Sequence, residues 1–302
     1  MPIYSVHHVT TYRYRQPVAF GEHRMMFLPR ESHDQHLLAS TLTITPEPVG
    51  IRFSGDALGN RVGVARFSRR ASELVFDSHI RVAQSPSHPS GFNLEPRACS
   101  VPVAFEADEL SDLGPFLQRR YGDPDGALDA WARGFLSTGK PKPTLEFLTA
   151  LIHRVRSLTY VRRTEKGIQN PAETLARRSG TCRDFTELVI EALRALGLPA
   201  RFVSGYLYVA ARDRHDVHGG GATHAWLQVF LPGAGWVDID PTNAIIGNHG
   251  LIRVAIAREP SEALPLAGSY SGFPSDALGM EVTVKVVRED SAEAEPRTAL
   301  EA

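Results

Sequence analysis

The chain has 302 residues, 42% of them apolar and 22% charged, the balance of an ordinary soluble globular protein with room for two domains. Its 33 basic and 34 acidic residues nearly cancel, and its arginine pairs are scattered, so no domain-wide basic face of the nucleic-acid-binding kind is implied. No apolar run approaches the roughly 18 residues of a membrane helix, and Met1–His8 lacks the charged start and apolar core of a secretion signal.

From residue 1 to about 104 the signal has period two. Leu38, Ser40, Leu42 and Ile44 alternate with Ala39, Thr41, Thr43 and Thr45, and Leu74, Phe76, Ser78, Ile80 and Val82 alternate with more polar neighbours. A sheet with one buried face requires this alternation. Asp56-Ala57-Leu58-Gly59-Asn60 supplies turn chemistry between the runs. An all-β, sandwich-like N-terminal domain is predicted over residues 1–104.

After residue 105 the period lengthens. Helices are predicted near 109–120, 126–137 and 143–157, the last with Phe147, Leu148, Leu151, Ile152 and Val155 at helical spacing. A further helix runs from Cys182 to about Leu196. Strands are predicted over Arg201 to Val209, Ala225 to Leu231 and Gly235 to Asp240, which makes residues 105–265 an α+β core with an antiparallel sheet. Residues 266–288 form a C-terminal strand region, with Met280 to Val287 as its strand. The Ala- and Glu-rich residues 289–302 read as a disordered tail.

Two cysteines, Cys99 and Cys182, are too few for a disulfide framework, and a cytoplasmic protein with reduced thiols is expected. Cys182 has a particular setting. Thr181 followed by Asp184 resembles a capping box, which puts Cys182 in the first turn of a helix whose face Phe185, Leu188, Val189, Ala192 and Leu193 is buried. A thiol there feels the helix dipole and unpaired backbone N–H groups, which favour the thiolate. The same N–H groups, from the region of Gly180, Thr181 and Cys182, can hold an oxyanion, and Gly180 would allow close approach of a substrate backbone. Cys99, in Arg97-Ala98-Cys99-Ser100-Val101, has no such context and reads as an inert packing residue.

A thiolate nucleophile needs an imidazole, itself oriented by a carboxylate or amide. Among twelve histidines, His224 opens a strand just after Gly219-Gly220-Gly221, and a hairpin through Pro232-Gly233-Ala234-Gly235 returns Asp240 towards it. Asp238 has the same parity, but the register about the turn favours Asp240. His218, with Asp213, His215 and Asp216, offers metal-ligand types, yet a Gly-rich loop without supporting signature is weak support, and no metal or cofactor is expected. A lid or a plain loop is the reading of 211–222. His153 reads as a core histidine, and His249 as a minor rival to His224. Trp226 and Trp236 read as core or cleft wall, Trp226 with an indole N–H that could serve an oxyanion.

Gly180-Thr181-Cys182-Arg183-Asp184-Phe185, Pro199 to Leu207, His224-Ala225-Trp226 and Asp240-Pro241-Thr242-Asn243 occur in an order that resembles the transglutaminase-like cysteine enzyme superfamily. Tyr4 to Tyr14, Leu28-Pro29-Arg30 and the stretch from Val254 to Tyr270 resemble its bacterial two-domain branch with a β-rich N-terminal domain. The resemblance implies a papain/transglutaminase-like core and a triad of Cys182, His224 and Asp240. It departs at Thr186-Glu187, where many members carry Ala-His, which implies tuning of the site. The implied activity is a cysteine peptidase or amidase on a peptide or protein substrate, through a thioester. Transfer to an amine is the alternative, and a non-catalytic binding module the second. Neither nucleic acid nor membrane is an expected partner.

Overall fold

The structure, a computed structural model, describes residues 1–136, 140–162, 167–210, 218 and 221–289. Five strands come first: β1 (Ile3–Met25), β2 (Gln35–Thr45), β3 (Gly50–Gly55), β4 (Arg61–Arg66) and β5 (Ala71–Gln84). The middle carries β6 (Ser100–Val101), α1 (Ala107–Leu117), α2 (Ala127–Arg133), β7 (Lys142–Pro143), α3 (Thr144–Arg156), β8 (Thr159–Tyr160), α4 (Pro171–Arg177), β9 (Ser179–Gly180) and α5 (Cys182–Ala195). The last part holds β10 (Ala200–Leu207), β11 (His224–Leu231), β12 (Gly235–Asp240), β13 (Ile245–Ile246), β14 (Leu251–Ala257), β15 (Leu266–Ser271) and β16 (Ala277–Glu289).

β1 organises the N-terminal region. Along Ile3 to Arg13 it pairs antiparallel with β5 on one side and β16 on the other. Past a register shift its second half pairs with β4 and β15. Tyr14, Phe20 and Met25 from that second half pack with Ile44, Leu74 and Phe76 from β2 and β5 in one apolar cluster. The result is the antiparallel, sandwich-like region that period two predicts, with one long strand passing through both parts. Residues 266–288, set apart on sequence as a C-terminal strand region, instead supply β15 and β16 to this N-terminal sheet. Pairing between opposite ends of a chain leaves no local sequence signal, because each strand's alternation is the same whichever neighbour it finds. The expected tail, beyond Glu289, lies outside the described residues, as do residues 211–217 of the Gly-rich loop.

The α+β core follows the predicted order with shorter helices. α2 stops at Arg133 rather than 137, where Gly134 caps it. α4 was not predicted: seven residues, opened by Asn170 as N-cap and Pro171, are too few for a helical period to declare itself. β14 was also missed; all seven of its residues are buried, so it shows no alternation. The core sheet has the order β13-β12-β11-β10-β14, and α5 packs on β10 and β11.

β14 is an edge strand of that sheet, but amide side chains from the N-terminal region occupy its free edge. Asn60 donates to Ile256 O at 2.7 Å and accepts from Ile256 N at 2.8 Å. Gln35 does the same at Arg253, at 2.8 and 2.9 Å, and Gln84 donates to Leu251 O at 2.7 Å. Asn60 supplies partners to both Ile256 backbone groups, Gln35 shares the Arg253 oxygen with the Arg30 N–H at 3.1 Å, and Gln84 meets only the oxygen of Leu251. His8 of β1 adds a buried hydrogen bond to the Tyr206 hydroxyl of β10 at 2.8 Å.

Candidate active site

Cys182 is the first residue of α5, and Thr181 is its N-cap in extended conformation. The capping box expected from the sequence is present: Asp184 N donates to Thr181 Oγ1 at 3.4 Å, and Thr181 N to Asp184 Oδ2 at 2.8 Å. Asp184, fully buried, also accepts from Gln169 N at 2.7 Å, which ties the preceding loop to the cap. Phe185 N closes the first helical bond onto Thr181 O at 3.0 Å. Of the first-turn N–H groups, those of Cys182 and Arg183 have no helical carbonyl to bind and lie beside the thiol. Thr181, an oxyanion candidate on sequence, has its own N–H engaged by Asp184.

Gly180 is buried in β9, and a Cβ there would come within 2.9 Å of Asp184 Cβ and 3.1 Å of Phe185 Cε1. The missing side chain therefore lets β9 pack onto α5; it does not open a path for substrate backbone.

His224, at the start of β11, and Asp240, at the end of β12, are both fully buried, and His224 Nε2 donates to Asp240 Oδ2 at 2.8 Å. The register pairs Leu227 with Ile239, so Asp240 stands level with Trp226, two residues from His224 and on the same face. Asp240 also accepts from Thr242 N at 2.9 Å, Asn243 N at 3.3 Å and Asn243 Nδ2 at 2.7 Å. Burial alone would push this carboxyl up, but His224 and these donors hold it below its ordinary value.

The other imidazole nitrogen, Nδ1, is buried without a hydrogen bond of ordinary geometry among the described residues. The Cys182 thiol is the titrating group beside it. Burial would raise the thiol; His224, Arg183 and the Ala225 N–H oppose it, and the net direction is down from 9.0. Burial would lower His224, but Asp240 and Cys182 carry it above 6.5. The three residues form one coupled acid–base array that favours thiolate with imidazolium.

Asp238, the rival carboxylate, is committed elsewhere. It accepts from Trp226 Nε1 at 2.8 Å and from Arg253 Nη1 at 2.6 Å. The Trp226 indole N–H is therefore unavailable to an oxyanion; the ring is fully buried and stacks on His224, centroids 6.0 Å apart. Arg253 continues to Asp34 and to Ser32 of the N-terminal region.

Other sequence candidates fall away. His153 is exposed, because the buried face of α3 is Phe147, Leu148, Leu151, Ile152 and Val155, and residue 153 points off it. His249 is exposed and meets His88 edge to face. Cys99 is exposed rather than packed. Asp213, His215 and Asp216 lie outside the described residues, and His218 stacks on Tyr160 with ring centroids 4.4 Å apart.

Tyr160 and Asn243 were given no role on sequence. Tyr160 lies in β8, and its pairing opposite Gly180 of β9, the strand that leads into the cysteine helix, sets it near the thiol. Burial, with the negative charges of Cys182 and Asp240, pushes its phenol up to about 12. Asn243 holds Asp240 and also binds His218 through both N–H and C=O, at 2.8 and 3.0 Å. A short strand after a helix carries no sequence signal of its own, and only Asn243's place in the Asp-Pro-Thr-Asn motif pointed to it.

Residues 4–83 match the family described as the bacterial transglutaminase-like N-terminal region, and residues 129–241 match the transglutaminase-like superfamily. An uncharacterized protein of Mycobacterium tuberculosis H37Rv is 31% identical over 296 residues, covering 93% of this chain and 92% of its own. Over 68 residues, 22% of this chain and 10% of the other, the chain is 38% identical to a protein-glutamine gamma-glutamyltransferase of Pseudomonas aeruginosa. A crystal structure described as that of a candidate cysteine protease from Cytophaga hutchinsonii superposes with a TM-score of 0.71 at 21% identity, covering 96% of this chain and 91% of that one. With both regions matched in order and a relative alike over nearly its whole length, the chain belongs to the transglutaminase-like superfamily, in the branch that carries the bacterial N-terminal region.

Proposed function

We propose that the protein is a cysteine hydrolase, a peptidase or amidase, with Cys182 as nucleophile, His224 as acid and base, and Asp240 as orienting carboxylate. The observation that carries this reading is the buried His224–Asp240 pair beside a thiol at the N-terminus of α5. The Cys182 thiolate attacks a carboxamide or peptide carbonyl carbon, and the oxyanion lies towards the N–H groups of Cys182 and Arg183. The C–N bond then breaks as His224 gives its proton to the departing amine, leaving a thioester on Cys182. In the second half, His224 takes a proton from water, hydroxide adds to the thioester, and the thiolate leaves. Asp240 keeps Nε2 protonated, so that Nδ1 is the nitrogen that gives and takes the proton. This reading takes the chain to be cytoplasmic, where both cysteines stay reduced.

Transfer to an amine is the second reading, favoured by the 68-residue likeness to the glutamyltransferase. Incubation with peptide and carboxamide libraries, with and without a primary amine, separates the two by product mass. Cleaved or deamidated products that form equally without amine, and vanish in Cys182→Ala, are expected. Amine adducts as the main product would reverse the choice, and no turnover at all would leave only a binding module.

A further inference from the structure

Outside the cleft, metal-ligating side chains gather at one place on the opposite, solvent-facing side of the N-terminal sheet. His7 of β1 lies directly across from His79 of β5, and Asp77 precedes His79 by two residues on the same face. Both Nε2 atoms approach a single oxygen, Asp77 Oδ1, at 3.0 Å from His7 and 3.2 Å from His79. The three ligand atoms lie within 4.8 Å of one another, the only such group of His, Cys, Asp and Glu among the described residues. The two imidazoles are stacked, with centroids 3.8 Å apart and planes at 14°.

These separations match a metal's ligand shell. Ligands about 2.0–2.1 Å from a tetrahedral zinc ion stand roughly 3.3–3.4 Å from one another. Two of the three ligand pairs are already within about 0.4 Å of that spacing. The Asp77 oxygen already gathers both imidazole nitrogens, and a divalent cation could bind both nitrogens and that oxygen, with the rings splaying from their stack. All three side chains are partly exposed and have room to do so.

The geometry points to a divalent transition-metal site at His7, Asp77 and His79, with a fourth position left to water. Two imidazoles and one carboxylate suit zinc, copper or nickel and not calcium or magnesium. Lys285 of β16 lies opposite His7 and opposes the cation, while Thr41 of β2 lies opposite His79. Arg81, next on the same face, is engaged by Glu289 at 2.6 Å. Exposed charges of this kind are screened by salt, so the affinity expected is micromolar rather than nanomolar. Bound metal would cross-link β1 to β5 and stabilise the sheet they share.

Calorimetric titration of the full chain with zinc tests the site, in a Cys182→Ala background so that the thiolate cannot bind the ion. One equivalent bound, a Tm that rises with zinc, and at least about tenfold weaker binding in His7→Gln and in His79→Gln are expected. Cobalt in place of zinc should give visible absorption bands that are lost in the same variants. Absence of binding, or binding unchanged in the double variant His7→Gln/His79→Gln, would overturn the assignment.

Discussion

His224 shares its two ring nitrogens between Asp240 and Cys182, and so its charge depends on both neighbours. With Cys182 below its ordinary 9.0 and His224 above its ordinary 6.5, thiolate and imidazolium coexist in the interval between the two shifted values. Alkylation of Cys182 by iodoacetamide should therefore persist below pH 7. In His224→Ala it should appear only as pH nears the free-thiol value of about 8.5. Asp240→Asn removes the charge that keeps His224 protonated, and alkylation at pH 6 should slow by about tenfold or more. An unchanged profile in either variant would refute the coupling. Cys182, His224 and Asp240 were legible because a cap motif and a hairpin are local patterns. Asp238 was not separable by parity, and its commitment to Trp226 and Arg253 depends on a strand the sequence did not announce. His7, Asp77 and His79 were invisible for a similar reason: β1 and β5 meet only after three intervening strands.

α5 shows what an element's own pattern omits. Spacing indicates one buried face, but the helix is buried on every side from Asp184 to Arg194. Glu187 and Glu191 are fully buried and are met by Arg120 and Arg194, from the loop after α1 and from the helix itself. A helix's periodicity reports the first layer against it and not the second, so neither acid was expected inside. Burial, with help from Glu191 and Glu259, raises Glu187 to about 7, against the opposing charges of Arg194 and Arg120. The native state then holds a proton that the unfolded chain has already lost between its ordinary 4.5 and about 7. Stability therefore falls as pH rises through that window, and the full penalty is present above it. Glu187→Gln should gain about 1–3 kcal/mol at pH 8 and nothing at pH 5, measured by urea unfolding. Equal effects at both pH values would argue against a buried, protonated Glu187.

At the scale of the molecule, the two regions are joined by the amide-covered edge of β14. Asn60→Ala removes partners from both backbone groups of Ile256 and should cost about 1–3 kcal/mol of stability. Gln35→Ala leaves only Arg253 N without its partner, since Arg253 O keeps the Arg30 N–H, so a smaller loss is expected, and thermal melts will show both. Because Asn60 and Gln35 lie far from Cys182 in the chain and act on β14, folded protein should keep its rate of alkylation. An unchanged Tm in both single variants would refute this account. The α+β order and the antiparallel sheets could be read from period and turn chemistry. The side-chain pairing that joins the regions could not, since Asn and Gln look the same on a surface as at a buried edge.

The pairing of β1 with β16, Ile3 opposite Glu289, also orders events during synthesis. β1 leaves the ribosome before the other strands described, yet one of its edges has no partner until β16 emerges. At roughly 5–20 residues per second, that interval is on the order of 15–60 seconds. For that time the nascent chain carries an open strand edge able to pair with another nascent chain. Slower translation should lengthen that exposure, and whatever binds β1 in the meantime should cover the edge.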